Sequence, residues 1–346
     1  MNKKIKVIVS GVGEMGGQAV QMILEKPVLE LVGVIGHKKG VGEDVAKKIG
    51  LDKNTGIIIS ADAKKLFETV SADIVLNFGA SAVKDAYSQT KEAITHGINV
   101  ITIAECASNP WISEKEISDE LDQQAKLHGV TFLGTGINPG FMFDYFPIVI
   151  TGALKRTTKI YCKRVVDFSR YGIVVWEHIG VGKTPDEFDQ GIKNGDIVLH
   201  VGLKETVHIV ADAMGWKLDH YTETKSWMIS KSKREAEYGV VEPGTVCGFK
   251  QIGTGFMKGK EVIIQEIIGL IKPNPKEDGT GVGTYALIDG VSSQTKVSIE
   301  GELALQGGWG TVARAVNSIP QVIAARPGII TMNELPPSPC LPDITA

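Results

Sequence analysis

Two short stretches hold residue types that could do chemistry. The first is Gly11-Val12-Gly13-Glu14-Met15-Gly16, which follows the apolar run 5–9. A helical pattern of Ala19, Val20, Ile23 and Leu24 comes next and is stopped by Pro27, and a second apolar run covers 29–35. Strand, glycine loop, helix and strand in this order are the setting a dinucleotide fingerprint needs. Gly11 allows a tight turn, Gly13 lets backbone N–H groups approach a pyrophosphate, and Gly16 lets the helix pack against the strand. The plainer alternative is a strand-to-helix turn that needs small residues. The second stretch is Ile103-Ala104-Glu105-Cys106, directly behind the apolar run 98–103. A carboxylate just past a buried strand lies at the carboxyl edge of a sheet, beside a reacting centre. Partial desolvation would raise its pKa toward neutrality and suit it to moving protons. A turn cap is the competing role for Glu105.

The elements that must position these residues alternate. Helical patterns at 43–49, 63–70, 83–96 and 113–127 separate apolar runs at 56–59, 73–78, 98–103 and 130–133. Ser113-x-x-Glu116 has the form of a capping box. Alternation of this kind predicts a parallel, doubly wound α/β sheet of Rossmann type. Ligands of such sheets bind at the carboxyl ends of the strands. The loop at Asn77-Phe78-Gly79 and the loop at Ala104 are therefore expected walls of the cofactor site. The strand 29–35 ends in Gly36-His37-Lys38-Lys39-Gly40, without the acid that accepts from the ribose hydroxyls of NAD. Basic residues there suit a 2′-phosphate, so NADP is favoured over NAD. A solvated turn is the alternative reading of Lys38 and Lys39.

Past Gly136 the pattern changes. An apolar helix with an internal Pro147 is expected over 142–154, and strands over 158–168, 245–257, 261–271, 284–288 and 295–300. Thr184-Pro185-Asp186-Glu187 combines a capping box with Pro at the first helical position, and a second helix is expected over 201–214. This is an α+β domain with a mostly antiparallel sheet, one face of which is free for a dimer contact. Residues 272–283 read as an exposed loop. A helix over 309–325 is expected to return to the first domain, with a Pro-rich strap from 335 onward. The division is thus 1–136 plus 303–346 for dinucleotide binding, and 137–302 for substrate binding and dimerisation.

The whole chain sets further bounds. Its 346 residues carry a formal net charge of −3, which gives no general attraction to nucleic acid or to an anionic membrane. No apolar run has membrane-spanning length, and the five-residue N-terminal run is short for a signal-peptide core. The four cysteines are scattered without CxxC or zinc spacing, so reduced thiols, no metal and a cytoplasmic location are expected.

The glycine loop, Ala104-Glu105-Cys106, Gly134-Thr135-Gly136-Ile137-Asn138-Pro139-Gly140-Phe141, Arg164-Val165-Val166-Asp167 and the C-terminal Arg326-Pro327-Gly328 together resemble the 2,4-diaminopentanoate dehydrogenase and native amine dehydrogenase family. The resemblance spans essentially the full length, within the broader dihydrodipicolinate-reductase-like oxidoreductases. The His-His segment with its following Lys, and the Asp-Ala-Pro-Ser-Gly-Thr motif that mark that reductase itself, are absent.

The resemblance implies oxidative deamination of an amine with NAD(P), and makes Glu105 the catalytic acid/base. The implied substrate, 2,4-diaminopentanoate, brings a carboxylate and two amines. Arg164 can bind the carboxylate bidentately, His200 can donate to it at a helix start, Asn138 can hold either group, and Asp167 can hold an ammonium. Arg164 and Asp167 are three apart on one strand and so point to opposite faces unless it bulges. A structural Arg164–Asp167 ion pair is the plainer possibility. Simpler amines, ketones or 4-oxo acids are the alternative substrates, and a non-catalytic nucleotide sensor is the alternative from another class. The expected partners are a small-molecule amine or ketone, ammonia and a second copy of the chain.

Overall fold

The computed structural model describes residues 3–343 apart from 39, 81, 302 and 304–306, so Lys39 lies outside the described residues. Contacts divide the chain into two units, Met1–Phe141 with Gly308–Ala346, and Met142–Gly307.

The first unit is built on seven parallel strands: β1 (Ile5–Ser10), β2 (Leu29–Ile35), β3 (Ile59–Ser60), β4 (Ile74–Asn77), β5 (Asn99–Thr102), β6 (Thr131–Gly134) and, from the end of the chain, β15 (Gly328–Ile330). Their spatial order is β15-β6-β5-β4-β1-β2-β3. The strand order reverses between β1 and β4, which puts the ligand crevice of a doubly wound sheet at their carboxyl ends. Both faces are covered, so these strands read as continuous apolar runs: Val7, Ile8, Val9, Ile74, Leu76 and Ile101 are all fully buried. Ile8, Val75, Val100 and Phe132 pack with Ile94 and Leu121 from two covering helices, Val83–Thr95 and Lys115–His128.

Three local expectations for this unit differ from the structure. The run 56–59 yields only the two-residue β3, paired with β2, and an isolated bridge between Ile58 and Asp44 just before it. The helix expected from Ser113 starts two residues later. A 3₁₀ turn, Pro110–Ile112, comes first, the Glu114 N–H donates to the Pro110 carbonyl, and the helix begins at Lys115 without a side-chain cap. The helix expected over 309–325 is two, Gly307–Asn317 and Ile319–Ile323, parted at Ser318 just before Pro320. Beyond them β15 pairs with β6, and the Thr131 hydroxyl donates to the Arg326 carbonyl at 2.9 Å.

The second unit contains β7 (Lys159–Asp167), β8 (His220–Ile229), β9 (Arg234–Ala236), β10 (Gly239–Val241), β11 (Val246–Met257), β12 (Lys260–Leu270), β13 (Gly283–Asp289) and β14 (Gln294–Ile299). Six of them form a sheet in the order β14-β13-β7-β12-β11-β8, and β9 and β10 form a separate hairpin. Only the β7–β12 pairing is parallel. The helix Leu203–Ala213 lies on one face, where the Thr206 hydroxyl donates to the Gln265 amide oxygen, and Gln265 Nε2 donates to the Phe143 carbonyl at 2.8 Å. The expected helix 142–154 is shortened to Tyr145–Thr151, because Asp144 caps it by accepting from the Tyr145 N–H at 2.6 Å. The Thr184 capping box forms as read from the sequence.

The segment 272–283 is not simply an exposed loop. It carries a turn of helix, Pro275–Asp278, whose acids enclose the buried Arg234 of β9. Arg234 Nη2 lies 2.7 Å from Glu277 and 2.6 Å from Asp278, and its Nη1 donates to the Ile271 carbonyl. Removing the cation would strand two carboxylates away from water. Arg234→Ala is expected to cost roughly 3–5 kcal/mol. The Ser232 hydroxyl and the Lys231 N–H, with Arg234, hold the Glu277 carboxyl down to about 2. Its contribution to stability is complete above an ordinary glutamate value of about 4.3 and is lost as the pH falls through about 2. Melting temperatures of wild type and Glu277→Gln should therefore converge across that acid window, and a constant gap would contradict this linkage.

Candidate active site

The glycine loop owes its shape to backbone contacts a side chain would break. Gly11 has φ +88°, and its N–H donates to the Ile35 carbonyl at 2.8 Å. A Cβ on Gly16 would lie 1.7 Å from the Gly11 carbonyl oxygen. Apart from its own neighbours in the chain, no atom of the described residues stands within 4 Å of where a Cβ on Gly13 would be. That opening lies at the N-terminus of the helix Glu14–Glu25, with exposed Glu14 and half-buried Met15 in its first turn. A pyrophosphate fits such a cradle, met by free N–H groups and the positive end of the helix dipole. Phe78 and Gly79 form the facing wall, since a Cβ on Gly11 would lie 3.0 Å from both the Phe78 carbonyl carbon and the Gly79 nitrogen. Asn77 shapes this wall by accepting from the Gly79 N–H at 2.9 Å. His37 and Lys38 are exposed just past β2, and His37 Nε2 is 3.7 Å from the Cβ position of Gly79.

Glu105 opens a 3₁₀ turn, Glu105–Ser108, immediately past β5 and the buried Ala104. The Ile103 N–H donates to the Asn77 carbonyl, which ties the Glu105 segment to the wall beside the glycine loop. From below, Gly134 at the end of β6 seats the turn. A Cβ there would lie 2.1 Å from the Ala107 carbonyl carbon. The Glu105 carboxylate is half-buried, and burial raises its pKa, opposed only by its own backbone N–H. Asn138 also belongs to this unit, half-buried in the loop that follows β6.

In the second unit Arg164 is 2 % exposed, on the face of β7 that the helix Leu203–Ala213 covers. Among the described residues no carboxylate lies within ion-pair distance of it, and its Nη1 is buried with no hydrogen-bond partner. Burial lowers its pKa to about 10, so it stays charged at neutral pH. Directly across the ladder, on β13, stands Thr284, which is 2 % exposed and has an unpartnered hydroxyl. Sequence reasoning missed Thr284, because only the β7–β13 register brings it beside Arg164.

Asp167 is not the partner of Arg164. Its carboxylate accepts from the N–H and the hydroxyl of Ser169 in a turn that closes β7, on the opposite face as the three-residue spacing requires. His200 does not open a helix, since that helix starts at Leu203. It sits in the preceding loop, where Gln251 accepts from its N–H at 3.0 Å and donates to its carbonyl at 2.8 Å. Desolvation, then the Arg164 charge, push His200 down to about 4. It is therefore neutral at pH 7, and the positive charge of this site belongs to Arg164 alone.

Residues 141–345 match the family described as the 2,4-diaminopentanoate dehydrogenase C-terminal domain, and residues 5–104 match the dihydrodipicolinate reductase N-terminus. A 2,4-diaminopentanoate dehydrogenase from Acetoanaerobium sticklandii is 36% identical over 96% of this chain and 94% of its own. The chain belongs to the 2,4-diaminopentanoate dehydrogenase family. An amine dehydrogenase from Streptomyces virginiae is 23% identical over 97% of this chain and 98% of its own. The structure of an amine dehydrogenase from Mycobacterium smegmatis superposes with a TM-score of 0.84 and 27% identity, covering 98% of each chain. A dihydrodipicolinate reductase from Paenisporosarcina sp. TG-14 shares the fold, with a TM-score of 0.52 at 12% identity over 95% of this chain and 97% of its own. Membership makes the chain an oxidoreductase, a dehydrogenase of the amine and amino-acid class. The Rossmann-like first unit with its glycine cradle fits a nicotinamide cofactor. No helix among the described residues is long and apolar enough to cross a membrane.

Proposed function

We propose that the chain catalyses the NAD(P)-dependent oxidative deamination of 2,4-diaminopentanoate to 2-amino-4-oxopentanoate and ammonia, and the reverse reductive amination. Family membership supports the amine chemistry. The observation that carries the choice of substrate is the buried Arg164 guanidinium without a carboxylate of its own. An uncompensated buried cation is costly to keep, and a substrate carboxylate would satisfy it. Thr284 and neutral His200 would add one hydrogen bond each. Asn138 stays in the proposal as a second polar contact, whereas Asp167 is occupied by its turn. A simple apolar amine would leave Arg164 unsatisfied.

A nicotinamide bound at the glycine loop would supply the hydride acceptor for the amine-bearing carbon. Glu105 does the proton work. Its carboxylate takes a proton from the water that adds to that carbon, and passes it to the departing ammonia. The same anion stabilises the positive charge that develops beside it. The test is a panel of NADPH, ammonia and ketones. Strong preference for 4-oxo acids over uncharged ketones is expected. Equal turnover would favour simple amines, and no turnover with any ketone would favour a nucleotide sensor.

NADP is the proposed cofactor, with His37, Lys38 and Lys39 as the residues that would meet its 2′-phosphate. Lys38→Ala is expected to raise KM for NADP(H) roughly 10- to 100-fold, the equivalent of one hydrogen bond to a charged group, and to leave KM for NAD(H) nearly unchanged. Equal effects on both cofactors would make the turn a solvated loop.

A homodimer is proposed through the sheet face opposite the helix Leu203–Ala213. There Ile252, Glu266, Lys163 and Tyr285 stand side by side across four strands, all half-buried. Lys163 and Glu266 pair at 3.3 Å, so the charges on this surface are already compensated. Light scattering should give twice the chain mass, and Ile252→Lys should halve it. A monomeric wild type would refute the proposal.

A further inference from the structure

At the carboxyl ends of β1 and β4, one side-chain oxygen collects two donors. The Ser10 hydroxyl donates to Gln89 Oε1 at 2.7 Å, and Asn77 Nδ2 donates to the same oxygen at 3.4 Å. Ser10 and Asn77 are the last residues of their strands, and both are buried. Gln89 reaches them from the helix Val83–Thr95. An asparagine amide presents NH₂ on one side and oxygen on the other. With its NH₂ turned to Gln89, Asn77 is left with its oxygen toward the Gly79 N–H, 2.9 Å away. The Phe78–Gly79 backbone so held is the one that rests against Gly11.

We infer that Gln89 is a positioning residue for cofactor binding: by fixing the Asn77 amide, it holds the Phe78–Gly79 wall against the glycine loop. Gln89 acts here only as an acceptor. A glutamate can accept both bonds, whereas a methionine of similar length accepts neither well. The inference rests on the glycine loop being the cofactor site.

The experiment measures Kd for NADPH, by quenching of protein fluorescence, on wild type, Gln89→Met and Gln89→Glu, with a melting curve for each. Loss of an oriented hydrogen-bond network at the wall predicts a Kd raised about ten-fold in Gln89→Met, and within about three-fold of wild type in Gln89→Glu. A purely structural role would lower the melting temperature of Gln89→Met and leave the Kd of its folded fraction unchanged. That result, or a Gln89→Glu variant as weak as Gln89→Met, would overturn the inference. Tight NADPH binding by both variants would overturn it while leaving the cofactor reading intact. Absence of binding by wild type would overturn both.

Discussion

Glu105→Gln will retain cofactor affinity and lose turnover by roughly 10²- to 10⁴-fold, the range general acid–base groups contribute. The amide keeps the shape of the side chain and its place at the head of the 3₁₀ turn, so the cradle beside it is undisturbed. What it cannot do is accept a proton. The pH dependence supplies a second signature. Burial raises the Glu105 pKa, and the base form is the active one for oxidation. The acid limb of kcat/KM for deamination should therefore lie above the ordinary glutamate value of about 4.3, with activity rising as the pH climbs through it. Steady-state rates from about pH 4 to about pH 9 check both points. A variant with most of the wild-type kcat would make Glu105 a turn-capping residue.

Arg164→Ala will separate charged from uncharged substrates. Loss of a charged hydrogen-bond pair, roughly 1.5–3 kcal/mol, lowers kcat/KM for 4-oxopentanoate about 10- to 100-fold. Pentan-2-one, which lacks the carboxylate, should be nearly unaffected. Thr284→Val should act in the same direction and more weakly, because a neutral donor contributes about 0.5–1.5 kcal/mol. The structural alternative has lost its partner, since Asp167 is engaged by Ser169. Removing Arg164 also removes a buried charge with no counter-ion, so the melting temperature should not fall sharply. Equal loss on both ketones together with a large drop in melting temperature would refute the carboxylate assignment.

The first unit was legible because its strands are buried on both faces and its glycines sit where backbone meets backbone. The runs 5–9 and 29–35 correspond to β1 and β2 almost to the residue. β8 was missed because it is an edge strand. His220, Thr222, Glu223, Thr224 and Lys225 are exposed, so no apolar alternation marks it. β15 escaped because three residues give no period. The opposed directions of Arg164 and Asp167 followed from strand parity alone. Thr284 and Gln89 did not, because their roles come from pairing partners 120 and about 80 residues away, which no local pattern encodes. The acids at 277 and 278 looked solvent-facing for the same reason: their partner, Arg234, is on a distant hairpin.

The most direct test of the central claim is to supply 2,4-diaminopentanoate with NADP⁺ or NAD⁺ and measure reduced cofactor and ammonia together. The account predicts equimolar formation of the two by wild type, with both products lost in Glu105→Gln. Reduced cofactor without ammonia, or no reaction with this diamine alongside brisk reaction of an uncharged amine, would contradict it.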